Sequence, residues 1–173
     1  MCLRKVVSTS LAGAALIALD SAARADAAPV STHVRVGGMM TAGAVDRALS
    51  GARRRLERPA CQRLFAEFQD GAGRPLREAL DGKGLSGPEH LASLLFYDGT
   101  TQAPCALDRT LAFTSPGSTV VFVCPTQFVR ESRRDPFLAE AALIHEGLHS
   151  LGLRENPPTS AAITSRVMSH CAQ

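Results

Sequence analysis

The amino-acid sequence predicts a mainly helical α+β protein that forms one domain and contains a short β-hairpin. Apolar residues recur at three- and four-residue spacing over most of the chain, which is the period of an amphipathic helix. Between residues 111 and 124 the period changes to that of strands, around a turn sequence at residues 115–118. No internal repeat or low-complexity linker divides the chain, so a single domain is expected.

The elements are predicted from these periods together with glycine, proline and capping residues. Proline suits the first helical turn at Pro59 and Pro136, and Asp-Gly pairs end two of the intervening helices. Residues 30–41 are expected to form an extended arm. Helices are predicted at residues 44–56, 59–68, 75–80, 86–97, 136–151 and from residue 159 or 160 onward. Residues 111–114 and 119–124 form the two strands of the hairpin.

Residues 1–25 have the pattern of a secretory signal peptide. Arg4 and Lys5 precede a weakly apolar stretch at residues 6–19, and Ala23-Arg24-Ala25 provides a cleavage site. Removing this segment lowers the formal charge from +3 to +1, which argues against nucleic acid as a partner. The mature chain, residues 26–173, is expected to be periplasmic or extracellular and to have no membrane contact after cleavage. Its oligomeric state is not predicted.

Four cysteines remain in the mature chain, at positions 61, 105, 124 and 171. An even number in an exported protein predicts two disulfides, and the absence of a C-x-x-C pair disfavours a cysteine zinc site. Three pairings exist. We expect Cys61–Cys105 and Cys124–Cys171, because the second bond would tie the last helix to the strand before the helix at residue 136.

The most informative segment is His145-Glu146-Gly147-Leu148-His149, an HExxH sequence inside an apolar, helix-compatible run. Residues four positions apart lie on the same face of a helix, so His145 and His149 can direct both imidazoles at one metal ion. Glu146, next to the first ligand, can reach a water at the open metal position and act as general base. The sequence therefore predicts a Zn²⁺ site that is able to support hydrolysis.

Residues 145–155 fit the longer pattern HExxHxxGxxE, which resembles the HExxHxxGxxH signature of the metzincin zinc peptidases. In this resemblance Glu155 takes the place of the third histidine ligand, and Gly152 is the residue that turns the chain back towards the metal. The chain departs from the metzincin pattern further on, because Met168 lies in a helix-like run and not in a tight turn. Residues 145–160 also resemble a family of small secreted bacterial proteins described as zincin-like metallopeptidases.

The resemblance implies a zincin-like metallopeptidase domain over residues 26–173 that hydrolyses a peptide or protein substrate, with zinc held by His145, His149 and Glu155. His170 is the alternative third ligand, whereas His90 is expected to be exposed on a helix. Tyr97 or Arg154 could polarise a substrate carbonyl.

In zincins an edge strand before the metal helix binds the peptide, and residues 119–124 are either that strand or an ordinary core strand. The alternatives are a non-catalytic metal-binding or interaction module, and a zinc amidase acting on cell-wall peptides.

Overall fold

Eight α-helices and a small four-stranded sheet make up the fold in residues 33–172, the part of the chain that this computed structural model describes. The mainly helical α+β class is therefore confirmed, while the predicted signal peptide lies outside the described residues. The strands are β1 (His33–Arg35), β2 (Leu95–Asp98), β3 (Ala112–Phe113) and β4 (Val120–Val123). The helices are α1 (Met39–Leu56), α2 (Pro59–Gln62), α3 (Leu64–Glu67), α4 (Leu76–Lys83), α5 (Gly87–Ala92), α6 (Pro125–Arg134), α7 (Pro136–Ser150) and α8 (Ser160–Cys171). A short 3-10 helix spans Ala103–Ala106.

Helix α7, which carries the HExxH sequence, is the central element of the fold. It packs against α1, α5, α6 and α8, and all of its last eight residues are buried. A helix that is apolar on nearly every side is stable only when it is surrounded in this way. Asp135 caps its start by accepting a hydrogen bond from the Leu138 N–H, and Pro136 occupies the first turn as predicted.

The close packing of α1 on α7 depends on a glycine. A Cβ atom at Gly51 would lie 2.0 Å from the carboxylate of Glu140, so no other residue fits this position without moving the ion pair that Glu140 makes with Arg55. Arg55 also donates to the Cys171 carbonyl at 2.6 Å, and its guanidinium lies 3.9 Å from the ring centre of Phe137. This arginine therefore joins α1, α7 and the end of α8.

The sheet has the strand order β1-β2-β4-β3, with β1, β2 and β4 parallel and β3 antiparallel to β4. One face supplies apolar side chains to the core, among them Phe96, Val121 and Val123, which are fully buried. The predicted hairpin is confirmed as β3 and β4. Residues 119–124 do not form the sheet edge, however, because β4 pairs on both sides and β3 is the edge strand.

The structure differs from the sequence prediction at three further places. Residues 95–98, expected at the end of a helix, form β2. The periodicity of such a short apolar run does not distinguish a strand from a helix. Here pairing with both β1 and β4 stabilises the strand. The expected arm at residues 30–41 includes β1 and the start of α1. Helix α6 was not predicted at all.

The predicted disulfide pairing is wrong, although both disulfides form. The bonds are Cys61–Cys171 and Cys105–Cys124. Helix α2 packs against α8, which places Cys61 beside Cys171, and the 3-10 helix carries Cys105, which is bonded to Cys124 directly after β4. Within residues 33–172, no helix combines the length and the apolar character needed to cross a membrane.

Candidate metal centre

The two histidines of the HExxH sequence face the same point. His145 and His149 lie one turn apart on α7, and their Nε2 atoms are 2.9 Å from each other. Both side chains are almost completely buried. The Oε1 atom of Glu155 lies 3.3 Å from Nε2 of His149 and 3.6 Å from Nε2 of His145. The three residues that the sequence singled out as ligands are thus brought together.

The outer nitrogen of each imidazole is held by a second residue. Nδ1 of His149 lies 2.8 Å from the carbonyl oxygen of Leu153, which only accepts hydrogen bonds, so Nδ1 carries a proton and, in the neutral ring, Nε2 has the free lone pair. Nδ1 of His145 lies 2.9 Å from Oγ1 of Thr164 on α8. Contacts of this kind orient the rings of metal-binding histidines and raise their basicity.

Glu155 reaches the histidines because α7 ends in a Schellman turn. The Gly152 N–H donates to the His149 carbonyl at 2.8 Å, and the Leu153 N–H donates to the Leu148 carbonyl at 3.3 Å. Gly152 has φ +106°, a conformation that favours glycine, and this confirms the predicted turn. The loop before α4 also fixes the reversed chain, since the Gly71 N–H donates to the Gly152 carbonyl at 3.2 Å.

The donor set fits a divalent zinc ion. His149 Nε2 and Glu155 Oε1 are both acceptors, and two acceptors 3.3 Å apart repel each other unless a cation or a proton lies between them. In a tetrahedral zinc site with bonds of about 2.0–2.1 Å, neighbouring ligand atoms are roughly 3.3 Å apart. The three observed separations of 2.9, 3.3 and 3.6 Å bracket that value. Two imidazoles and one carboxylate are a normal zinc ligand set.

Glu146 lies beside the ligands and does not belong to the converging set. It is buried, and its Oε2 atom has no hydrogen-bond partner among the described residues. Burial raises the pKa of its carboxyl well above the ordinary value, and the nearby charge of Glu155 adds to the rise. The backbone N–H of Thr114 acts in the opposite direction. Burial likewise lowers the pKa of His145 to about 4, so this ring is neutral and able to bind a metal at neutral pH.

An open cleft runs past these residues. Two cavities meet at His145 and Glu146, one of about 570 Å³ that extends towards α6 and one of about 400 Å³ that extends towards His149 and Glu155. Ala112, on the edge strand β3, borders both cavities. Ser160, at the start of α8, also lines both cavities.

The open side of β3 presents backbone groups to this cleft. The Cys124 N–H donates to the Leu111 carbonyl at 2.8 Å, which makes these two residues a hydrogen-bonded pair of the antiparallel ladder. Because the ladder alternates, the N–H and C=O of the next residue, Ala112, point away from β4. The same alternation turns the Thr114 N–H away from β4, in agreement with its effect on Glu146.

The structure separates the remaining candidate residues from the centre. His170, the alternative third ligand, is not brought to the site. Its Nε2 lies 3.0 Å from Oε2 of Glu67 instead. His90 is not exposed as predicted. It is buried, its Nε2 lies 2.7 Å from Ser150 Oγ, and burial lowers its pKa to about 4.

Tyr97 and Arg154 line neither of the two cavities that meet at Glu146. Tyr97 packs near Phe122, and Arg154 extends over Gly71. Met168 lies within α8, as the sequence indicated.

Sequence reasoning missed the residues that support the site from other elements. Thr164 and Thr114 belong to α8 and to the segment after β3, and no local pattern marks either of them as a neighbour of α7.

No family model, curated protein or solved structure matches this chain.

Proposed function

We propose that this protein is an exported, zinc-dependent peptidase. The observation that carries the proposal is the convergence of three lone-pair atoms, from His145, His149 and Glu155, next to the buried and unpaired carboxylate oxygen of Glu146. Sites that only bind zinc do not need the fourth residue. The two disulfides and the signal-like sequence at residues 1–25 support export.

In this proposal His145, His149 and Glu155 hold the ion, and Leu153 and Thr164 fix the orientation of the two rings. When bound, zinc supplies a Lewis acid that polarises a carbonyl group and lowers the pKa of water towards 7. The remaining chemistry belongs to Glu146. Its carboxylate accepts one proton from the attacking water while the oxygen bonds to the amide carbon. The same carboxyl then delivers that proton to the leaving nitrogen as the C–N bond breaks, so a carboxylic acid and an amine are released.

The edge strand supports a peptide as the substrate. An extended chain in the cleft can pair with the outward N–H and C=O groups of Ala112, and such pairing does not depend on the side chains of the peptide. Ala112 and Glu146 both line the two cavities, so the paired segment would pass close to the reacting centre. This arrangement favours hydrolysis within an extended peptide over the alternatives of a pure metal-binding module and a cell-wall amidase.

The proposal is tested with Glu146→Gln in the mature protein. An amide cannot accept the proton of water, so casein hydrolysis should fall by at least about 10²-fold, in the range of general-base removal. Zinc content measured by elemental analysis should stay at the wild-type level. Glu78→Gln, an exposed change on α4, is the matched control and should alter neither quantity. Hydrolysis by Glu146→Gln within a few-fold of wild type, or zinc-loaded wild type that cleaves no peptide, would refute the proposal.

A further inference from the structure

The cleft differs in charge between its two ends. The larger cavity is lined by Arg109, Arg130 and Arg134. Besides Glu146 it has two acidic residues, Asp108 and Glu131. The described lining of the smaller cavity includes Pro104, Phe113 and Pro116 but contains no lysine or arginine.

The three arginines are not equivalent. Arg130 is already engaged, since its Nε lies 2.9 Å from Oε1 of Glu131 and it donates to the Asp108 carbonyl at 3.0 Å. Arg109 and Arg134 are exposed, and within residues 33–172 neither side chain makes a hydrogen bond or an ion pair. Arg134 follows Arg130 by one helical turn on α6, so both face the same side of that helix.

We propose that this end of the cleft is a carboxylate-binding subsite, formed by Arg109 and Arg134, that selects peptides with an anionic group on one side of the cleaved bond. The inference rests on the proposed peptidase function, because a subsite gains its meaning from the adjacent hydrolytic centre. A guanidinium presents paired N–H donors that match the two oxygens of a carboxylate. Since neither arginine has a protein partner within residues 33–172, a peptide carboxylate would displace water and would break no contact within the protein.

A peptide can offer this subsite a carboxylate from two sources. One is the side chain of an aspartate or glutamate, and the other is the C-terminal carboxylate. The two sources produce different cleavage patterns. A side-chain carboxylate enriches acidic residues at a fixed distance from the cut, wherever the cut falls. A terminal carboxylate restricts cleavage to bonds a fixed, short distance from the C-terminus of the peptide. Either pattern supports the subsite.

The test uses the zinc-loaded mature protein and a mixture of peptides from a digested proteome, with cut sites identified by mass spectrometry. Arg109→Gln/Arg134→Gln is the variant, and Arg133→Gln is its matched control. Arg133 is next to Arg134 on α6 but lies outside the cavity lining, with one guanidinium nitrogen 3.4 Å from the sulfur of Met40. Removing two exposed guanidinium groups should reduce the preference for an anionic group about ten-fold. The control should keep the wild-type preference.

Cleavage with no anionic preference, or with a preference that the double variant retains, overturns the subsite and leaves the peptidase proposal intact. If the wild type cleaves nothing, the peptidase proposal fails. The subsite is then tested by peptide binding alone. For this purpose the same mixture is passed over immobilised, zinc-loaded Glu146→Gln protein. Retention enriched in acidic peptides, and lost with Arg109→Gln/Arg134→Gln, supports a carboxylate site. Retention without that enrichment refutes it.

Discussion

Glu155→Ala provides the sharpest test of the metal centre, because it separates the two residues that could complete the ligand set. The Glu155 carboxylate lies within 3.6 Å of both ring nitrogens, whereas His170 is paired with Glu67. Removing the Glu155 side chain leaves two imidazoles to hold the ion. Removing His170 changes only a contact between α8 and α3. We therefore expect a large loss of zinc affinity for Glu155→Ala and almost none for His170→Ala.

The magnitude follows from the share of binding that one ligand contributes. Structural zinc sites with four protein ligands bind with roughly 10–16 kcal/mol, which is about 3 kcal/mol for each ligand, or around 10²-fold in affinity. The side chain of Glu155 is 36% exposed, so water readily takes its place and limits the loss. A loss of about 10²-fold is expected for Glu155→Ala. For His170→Ala the expected change is less than about three-fold.

Zinc affinity is measured by competition with a chromophoric chelator at pH 7.5, together with thermal unfolding of the metal-free proteins to verify that both variants fold. Glu146→Gln is included because it changes a buried carboxyl next to His145 without removing a proposed ligand. The ligand assignment is wrong if Glu155→Ala binds zinc within about three-fold of wild type. It is also wrong if His170→Ala weakens binding as strongly as Glu155→Ala does.

Three further results are expected. Thr164→Val removes the hydroxyl that contacts Nδ1 of His145 and should weaken zinc binding about 10–100-fold in the same competition assay. Unchanged affinity would show that the hydroxyl does not orient the ring. Replacing Cys105 and Cys124 by serine should lower the free energy of unfolding in urea by about 3 kcal/mol, because the bond joins residues 19 positions apart and restricts the unfolded chain. A change below about 1 kcal/mol would contradict this reasoning. His90 has a pKa of about 4 in the fold against 6.5 when unfolded, so its contribution to stability is complete above pH 6.5 and declines as the pH falls towards 4. His90→Gln should flatten the pH dependence of metal-free unfolding over that window by up to about 1.4 kcal/mol per pH unit, and an unchanged slope would mean that His90 does not titrate there.

Features that depend on short-range geometry follow from the local amino-acid pattern. The pairing of His145 with His149 follows from the period of a helix, and the turn at Gly152 follows from the freedom of glycine at positive φ. Together they place Glu155, three residues further on, at the same point as the two rings. Helix starts at Pro136 and Thr159 were predictable for the same reason, since a cap acts on the next few residues only.

Which distant segments meet depends instead on the packing of the whole fold. The cysteine pairing depends on α2 packing against α8, and the edge strand is β3 because β4 gains a second partner in β2. His90 is buried because α5 packs on α7, although its own helix is short and amphipathic in sequence. Contacts of this kind join residues that are tens of positions apart. They are selected by the shared burial of whole faces of helices and strands, and a local pattern along the chain does not record which faces those are.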